Sequence, residues 1–163
     1  MPSTPRSAVR RRVRRTPLAQ ARRGSIGCGV DVVELPRFKQ ALKRGGQAFL
    51  RRIFTPAEEA YARRRHRTTL LHLAGRFAAK EAVLKAISQI DPTRVLAMNQ
   101  VEVCNDQAGR PHIVLLDGRP SRHRGGEGSG ARRGGCGRTS TMQVHVSLSH
   151  VKTVAVASAI AIR

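Results

Sequence analysis

Residues 76–86, RFAAKEAVLKA, read together with residues 27–31, GCGVD, decide the fold and point to the chemistry. Leu70, Leu73, Phe77, Ala78 and Leu84 recur at helical spacing, so one long helix is expected over about residues 69–88. Glu81 follows Phe77 by four positions and precedes Leu84 by three, which puts a carboxylate on that apolar face. A charge there is costly unless it is paired or binds a metal. GCGVD supplies a partner: Asp31 leaves a short apolar strand after a glycine-rich approach. Two carboxylates brought together from distant segments, with Arg76, Lys80 and Lys85 around one of them, suggest a divalent cation held beside phosphates.

The rest of the chain is read outward from these two segments. Residues 26–33 are expected to be a buried strand. Pro36, Phe38, Ala41 and Leu42 predict a following helix that stops near Gly45 and Gly46. Thr55, Pro56 and Glu58 have the spacing of an N-cap, a proline in the first turn and a capping-box glutamate, opening a short helix to about residue 65. Residues 100–104 and 112–116 read as two strands around a turn-rich connection, and residues 144–148 and 153–162 as a final pair. The fold class expected is α+β, a small antiparallel sheet packed on the one long helix with shorter helices beside it.

The 163 residues suit one domain. The formal net charge of +21 would by itself suggest a nucleic-acid binder, but its distribution argues against that. Residues 1–30 hold eight arginines and no acid, and residues 119–138 hold six arginines against Glu127. The remainder is moderately basic, which suits anionic binding partners in general. One tyrosine, four phenylalanines and no tryptophan leave no stacking platform for single strands. Cys28, Cys104 and Cys136 form an odd set without metal-type spacing, so no disulfide framework is expected and the reducing cytoplasm is the expected location. No apolar run approaches the length of a membrane span.

Five segments resemble, in order, the holo-acyl-carrier-protein synthases, the small class of 4′-phosphopantetheinyl transferases. They are GCGVDVVELPRF (27–38), FLRRIFTPAE (49–58), LAGRFAAKEAVLKA (73–86), VEVCNDQAGRPHIVL (101–115) and VHVSLSHVKTVAVA (144–157). The resemblance implies Mg²⁺ bound by Asp31 and Glu81, with coenzyme A as cosubstrate. Lys85 would stabilise charge on the phosphates, and Arg76, Lys80, Ser149 and His150 would contact the cofactor. Arg37, and with a less certain register Arg44, would dock an acidic acyl carrier protein. The reaction implied moves the 4′-phosphopantetheine arm of coenzyme A to a carrier serine for fatty acid biosynthesis and releases adenosine 3′,5′-bisphosphate. The general base is open between Glu81 and a water. The single K-E-x-x-x-K core and Phe77, where larger transferases carry tryptophan, imply the homotrimeric class with active sites between subunits.

Two features depart from the family. Ile87-Ser88-Gln89-Ile90 stands where the family has a glycine-rich turn, which puts the cradle for the phosphates in question. Residues 119–141 replace an alanine-rich helix, with seven glycines and no Leu, Ile, Val or Phe over 119–138. This stretch reads either as an irregular surface insert or as the product of a shifted reading frame. Residues 1–25 precede the resemblance and read as a disordered basic tail or an overlong start. Their arginine-rich, acid-free composition is also that of an organellar transit peptide. The transferase domain is expected over 26–163. Two rival readings are a basic nucleic-acid-binding protein and a degenerate relative that binds coenzyme A without transfer.

Overall fold

The computed structural model describes residues 24–116 and 142–163. The expected insert at 119–141 and all but the end of the expected tail at 1–25 lie outside the described residues. Strand β1 (Ile26–Glu34) leads into helix α1 (Leu35–Ile53), followed by α2 (Pro56–Arg63) and the long α3 (Thr69–Ile90). A hairpin of β2 (Val101–Asn105) and β3 (Pro111–Leu115) comes next, and β4 (Gln143–His150) and β5 (Val154–Ile162) close the chain. Short 3₁₀ turns at His66–Thr68 and Met98–Gln100 fill two of the connections. The class is α+β, as expected. The strands, however, form two sheets: an antiparallel three-stranded sheet in the order β1-β5-β4, and the separate β2-β3 hairpin.

The helix that follows β1 does not stop at the glycine pair. It breaks at Gly46, whose φ of 54° few L-residues adopt, and then resumes to Ile53. The next helix starts as its sequence predicts. Thr55 Oγ1 accepts the Glu58 N–H at 3.3 Å, and the Glu58 carboxylate accepts the Thr55 N–H at 2.9 Å.

The placement of α3 rests on small residues. Ala155, Ala157, Ala159 and Ala161 of β5 turn inward, and Ala74, Ala78, Ala82 and Ala86 of α3 are fully buried against the sheet. Alternation along β1 turns Gly27, Gly29, Asp31 and Val33 to the same side. A methyl group on Gly29 would run into the Ala82 carbonyl oxygen and stand 2.9 Å from the Ala86 nitrogen, and one on Gly27 would strike the Ala86 carbonyl. These glycines therefore serve the close approach of the helix backbone to the strand. Gly29→Ala is expected to destabilise the fold by at least about 2 kcal/mol, because backbone rather than a pliant side chain must yield. A urea unfolding midpoint equal to that of the wild type would contradict this.

Candidate active site

Asp31 and Glu81 meet in one cleft. Strand β1 brings Asp31, and α3 brings Glu81 from the helix lying across it. With Val32, Val33, Glu34, Arg37, Phe38, Ala41, Phe49 and Phe77 they line a cavity of about 550 Å³. Phe38 stacks at a tilt on Phe77 (5.3 Å between centroids) and on Phe49 (6.4 Å), giving the cleft an apolar wall. The helical spacing permits an ion pair of Glu81 with Lys85, but Lys85 Nζ instead donates to Asp31 Oδ1 at 2.8 Å and to the Val30 carbonyl at 3.0 Å. The hydrogen bond to Asp31, with further help from the charges of Asp31 and Glu81, raises the pKa of the exposed ammonium above its ordinary value. Two oxygen donors on separate elements, with a cation beside them, suit a hard divalent ion that keeps water and phosphate as its other ligands. Among the described residues no cluster of three or more His, Cys, Asp or Glu side chains is placed to hold a metal.

Lys80 requires a correction. It is fully buried, and its ammonium pairs with Glu58 at 2.6 Å and donates to the carbonyls of Ile53 (2.7 Å) and Met98 (3.1 Å). It faces α2 and the end of α1 and does not line the carboxylate cleft. Glu58 also accepts the Val103 N–H at 2.9 Å, so one buried pair ties α1, α2, α3 and β2 together. Burial lowers the Lys80 pKa, with Glu58 opposing that shift. The thiol of Cys104 is pushed up to about 12, mainly by burial and then by its 3.3 Å hydrogen bond to Glu102, so it is not a nucleophile.

Arg76 and His150 come together in a second cleft, of about 250 Å³, lined also by Tyr61, His72, Gly75, Asn105 and Leu148. Its lining shares no residue with that of the carboxylate cleft. Arg76 is only 5% exposed, and its guanidinium donates to Asn105 Oδ1 at 2.8 Å and lies 3.9 Å over the Tyr61 ring. Ser149 is not part of this cleft. Alternation along β4 turns it to the outer side of the sheet, opposite Leu148. Arg37 and Arg44 are both exposed on α1, and only Arg37 also lines the carboxylate cleft.

The sequence assigns no role to Tyr61 or His72, which no motif marks, nor to Asn105 within the matching segment 101–115, and it shows Gln89 only as part of a lost glycine turn. The expected loss of a glycine turn is in the structure a continuation of α3 to Ile90. Gln89 accepts the Cys28 N–H at 3.1 Å and donates to the Cys28 carbonyl at 2.6 Å, closing the free edge of β1 as a neighbouring strand would. Ser88 and Gln89 line a third cavity, of about 680 Å³, with Cys28, Val30, Lys85 and Ile160. Lys85 thus stands between this cavity and the Asp31 carboxylate.

The sequence matches the 4′-phosphopantetheinyl transferase superfamily over residues 27–133. It is 37% identical over 135 residues to a holo-[acyl-carrier-protein] synthase of Koribacter versatilis, covering 83% of this chain and 96% of that one. A second synthase, of Protochlamydia amoebophila, is 42% identical over 91 residues, covering 56% of this chain and 73% of that one. In three dimensions the chain resembles a Chronobacterium ammoniagenes synthase solved as a complex with coenzyme A. The TM-score is 0.62 at 28% identity, over 84% of this chain and 96% of that one.

Proposed function

This chain belongs to the holo-acyl-carrier-protein synthases of the 4′-phosphopantetheinyl transferase superfamily, and from that premise we propose how its two clefts divide the work. The protein transfers 4′-phosphopantetheine from coenzyme A to a serine of an apo-acyl carrier protein for fatty acid synthesis, releasing adenosine 3′,5′-bisphosphate. The observation that carries the reading is the meeting of Asp31, Glu81 and Arg37 in one cleft, with Lys85 on Asp31. Asp31 and Glu81 would hold Mg²⁺, which when bound neutralises charge on the pyrophosphate oxygens. Lys85 adds a positive charge from the opposite side of Asp31 and is free to turn towards a phosphate, since half of its side chain is exposed. The proton of the attacking serine hydroxyl would pass to the Glu81 carboxylate, which lines the same cleft, or to a water. The Phe38–Phe77 pair gives that transfer an apolar wall on one side.

The second cleft takes a phosphate of coenzyme A through Arg76 and His150, without Lys80 and Ser149. Its separation from the first supports a site completed between subunits of a homotrimer. The outer sheet face supports the same assembly, since Ile26, Val30 and Val32 are more than half exposed and Ile160 nearly so. No helix of the described residues is long and apolar enough to cross a membrane.

Incubation with coenzyme A, Mg²⁺ and an apo carrier, followed by weighing the intact carrier, tests the transfer. The carrier should gain the mass of one phosphopantetheine, and an unchanged mass refutes the reading. Arg37 and Arg44, exposed on α1, are the docking surface for the acidic carrier. Arg37→Glu is therefore expected to raise the KM for the carrier on the order of tenfold or more and that for coenzyme A little, and added salt should imitate it. Equal changes in both constants would place Arg37 on the cofactor instead.

A further inference from the structure

The cleft of Arg76 and His150 contains a third basic group that the family motifs do not mark. His72 lies on α3 one turn before Arg76, is half-buried, and stands edge-on to Tyr61 with centroids 5.7 Å apart at 89°. The Arg65 and Arg76 guanidiniums both lie over the Tyr61 ring, at 3.8 and 3.9 Å from its centroid. Three groups able to carry positive charge thus meet at one phenol ring, His150 lines the same cleft, and no carboxylate is among the residues lining it. The buried Arg76 Nε has no hydrogen-bond partner. A concentration of positive charge with an orphaned guanidinium donor is costly when empty and favourable around a dianion.

We propose that His72 is a proton-dependent binding residue of this cleft, so that a phosphate monoester seated against Arg76 and His150 binds together with one proton on the His72 imidazole. The inference rests on the reading of this cleft as a phosphate site. The groups facing His72 are Tyr61 from α2, Arg65 from the turn after it, Arg76 from its own helix and His150 from β4. The β2-β3 hairpin contributes the uncharged Asn105, Gly109 and Pro111. Its Asp106 and Arg110 bond to each other at 2.8 Å and do not line the cleft. Without a ligand, burial foremost, then the positive charges of Arg65, Arg76 and His150, hold the His72 pKa below its ordinary value. A dianion cancels those charges and reverses the balance, which links proton uptake to binding.

The test follows the imidazole of His72 by NMR across pH 5–8 in the full-length protein, assigned by its loss in His72→Phe, which keeps an aromatic edge against Tyr61. Spectra are recorded alone, with adenosine 3′,5′-bisphosphate, and with inorganic phosphate at equal concentration. The His72 midpoint should rise by about one pH unit or more with the bisphosphate. By the same cycle, His72→Phe should bind it about three- to sevenfold more weakly than wild type at pH 6 and almost equally at pH 8. The ligand's own titration is common to both proteins and cancels in that ratio. Binding that leaves the midpoint unmoved, or that His72→Phe weakens equally at both pH values, overturns the role of His72 alone. Absence of binding at every pH overturns it together with the phosphate reading of the cleft. A midpoint that inorganic phosphate moves just as far would leave the proton linkage standing and assign it to the phosphate group alone.

Discussion

Asp31→Ala and Glu81→Ala are each expected to lower the transfer rate on the order of a thousandfold or more while leaving the fold in place. Each substitution removes a proposed ligand for the cation without opening a hole in the core, because both carboxylates face the cleft. Asp31 also holds Lys85, but that pair is partly exposed, with side-chain exposures of 17% and 49%, so its loss costs little stability. Lys85→Ala separates the two roles of Asp31. If Asp31 acted only by orienting the lysine, the two variants would be equally impaired. Asp31→Ala is expected to be the worse, and additional Mg²⁺ to restore part of the activity of Lys85→Ala only. Steady-state rates with circular dichroism on each variant check this. A near-normal rate in either carboxylate variant would contradict it.

Glu58→Ala is expected to destabilise the fold by about 3–5 kcal/mol, a large part of what a domain of this size has to spare. It strands the Lys80 ammonium, which has no exposure, and takes the acceptor from the Val103 and Thr55 N–H groups. Replacing both partners by apolar residues, Glu58→Leu with Lys80→Met, should cost less than the single change, since no charge is left buried alone. Urea unfolding of the two singles and the double measures the coupling. A single variant that loses less than about 1 kcal/mol would show that water reaches the pair.

The Lys80 case shows where the sequence stops being informative. In K-E-x-x-x-K, Lys85 lies one turn from Glu81 and shares its side of the helix, whereas Lys80 is turned by about 100°. A helix with one apolar stripe would leave such a lysine in solvent or beside a ligand. Helix α3 is instead covered on nearly every side, by the sheet on one flank and by α2 and the hairpin on others, so the side of Lys80 is interior. The partner, Glu58, looks in the sequence like an ordinary capping-box residue, and its second role depends on a contact 22 positions away. The carboxylate pair was legible for the opposite reason. Asp31 and Glu81 sit on a strand and a helix with clear periodicity, and Gly27 and Gly29 mark the face where those elements touch.

The departures after Ala86 teach a similar point. Loss of a glycine turn reads in one dimension as loss of backbone donors. In three dimensions Gln89 brings both a donor and an acceptor to the Cys28 backbone and keeps β1 in place beside the helix. Tyr61 and His72 had no local signal at all. Their importance comes from Arg65, Arg76 and His150 converging on them from three different parts of the chain.

The central claim is that Asp31 and Glu81 hold a divalent cation on which phosphopantetheine transfer depends. Its most direct test is the rate at which an apo carrier gains phosphopantetheine mass as free Mg²⁺ is varied from excess chelator upwards. No transfer is expected in chelator, full recovery when Mg²⁺ is restored, and no recovery at any Mg²⁺ concentration for Glu81→Ala. Transfer at the normal rate in excess chelator would contradict it.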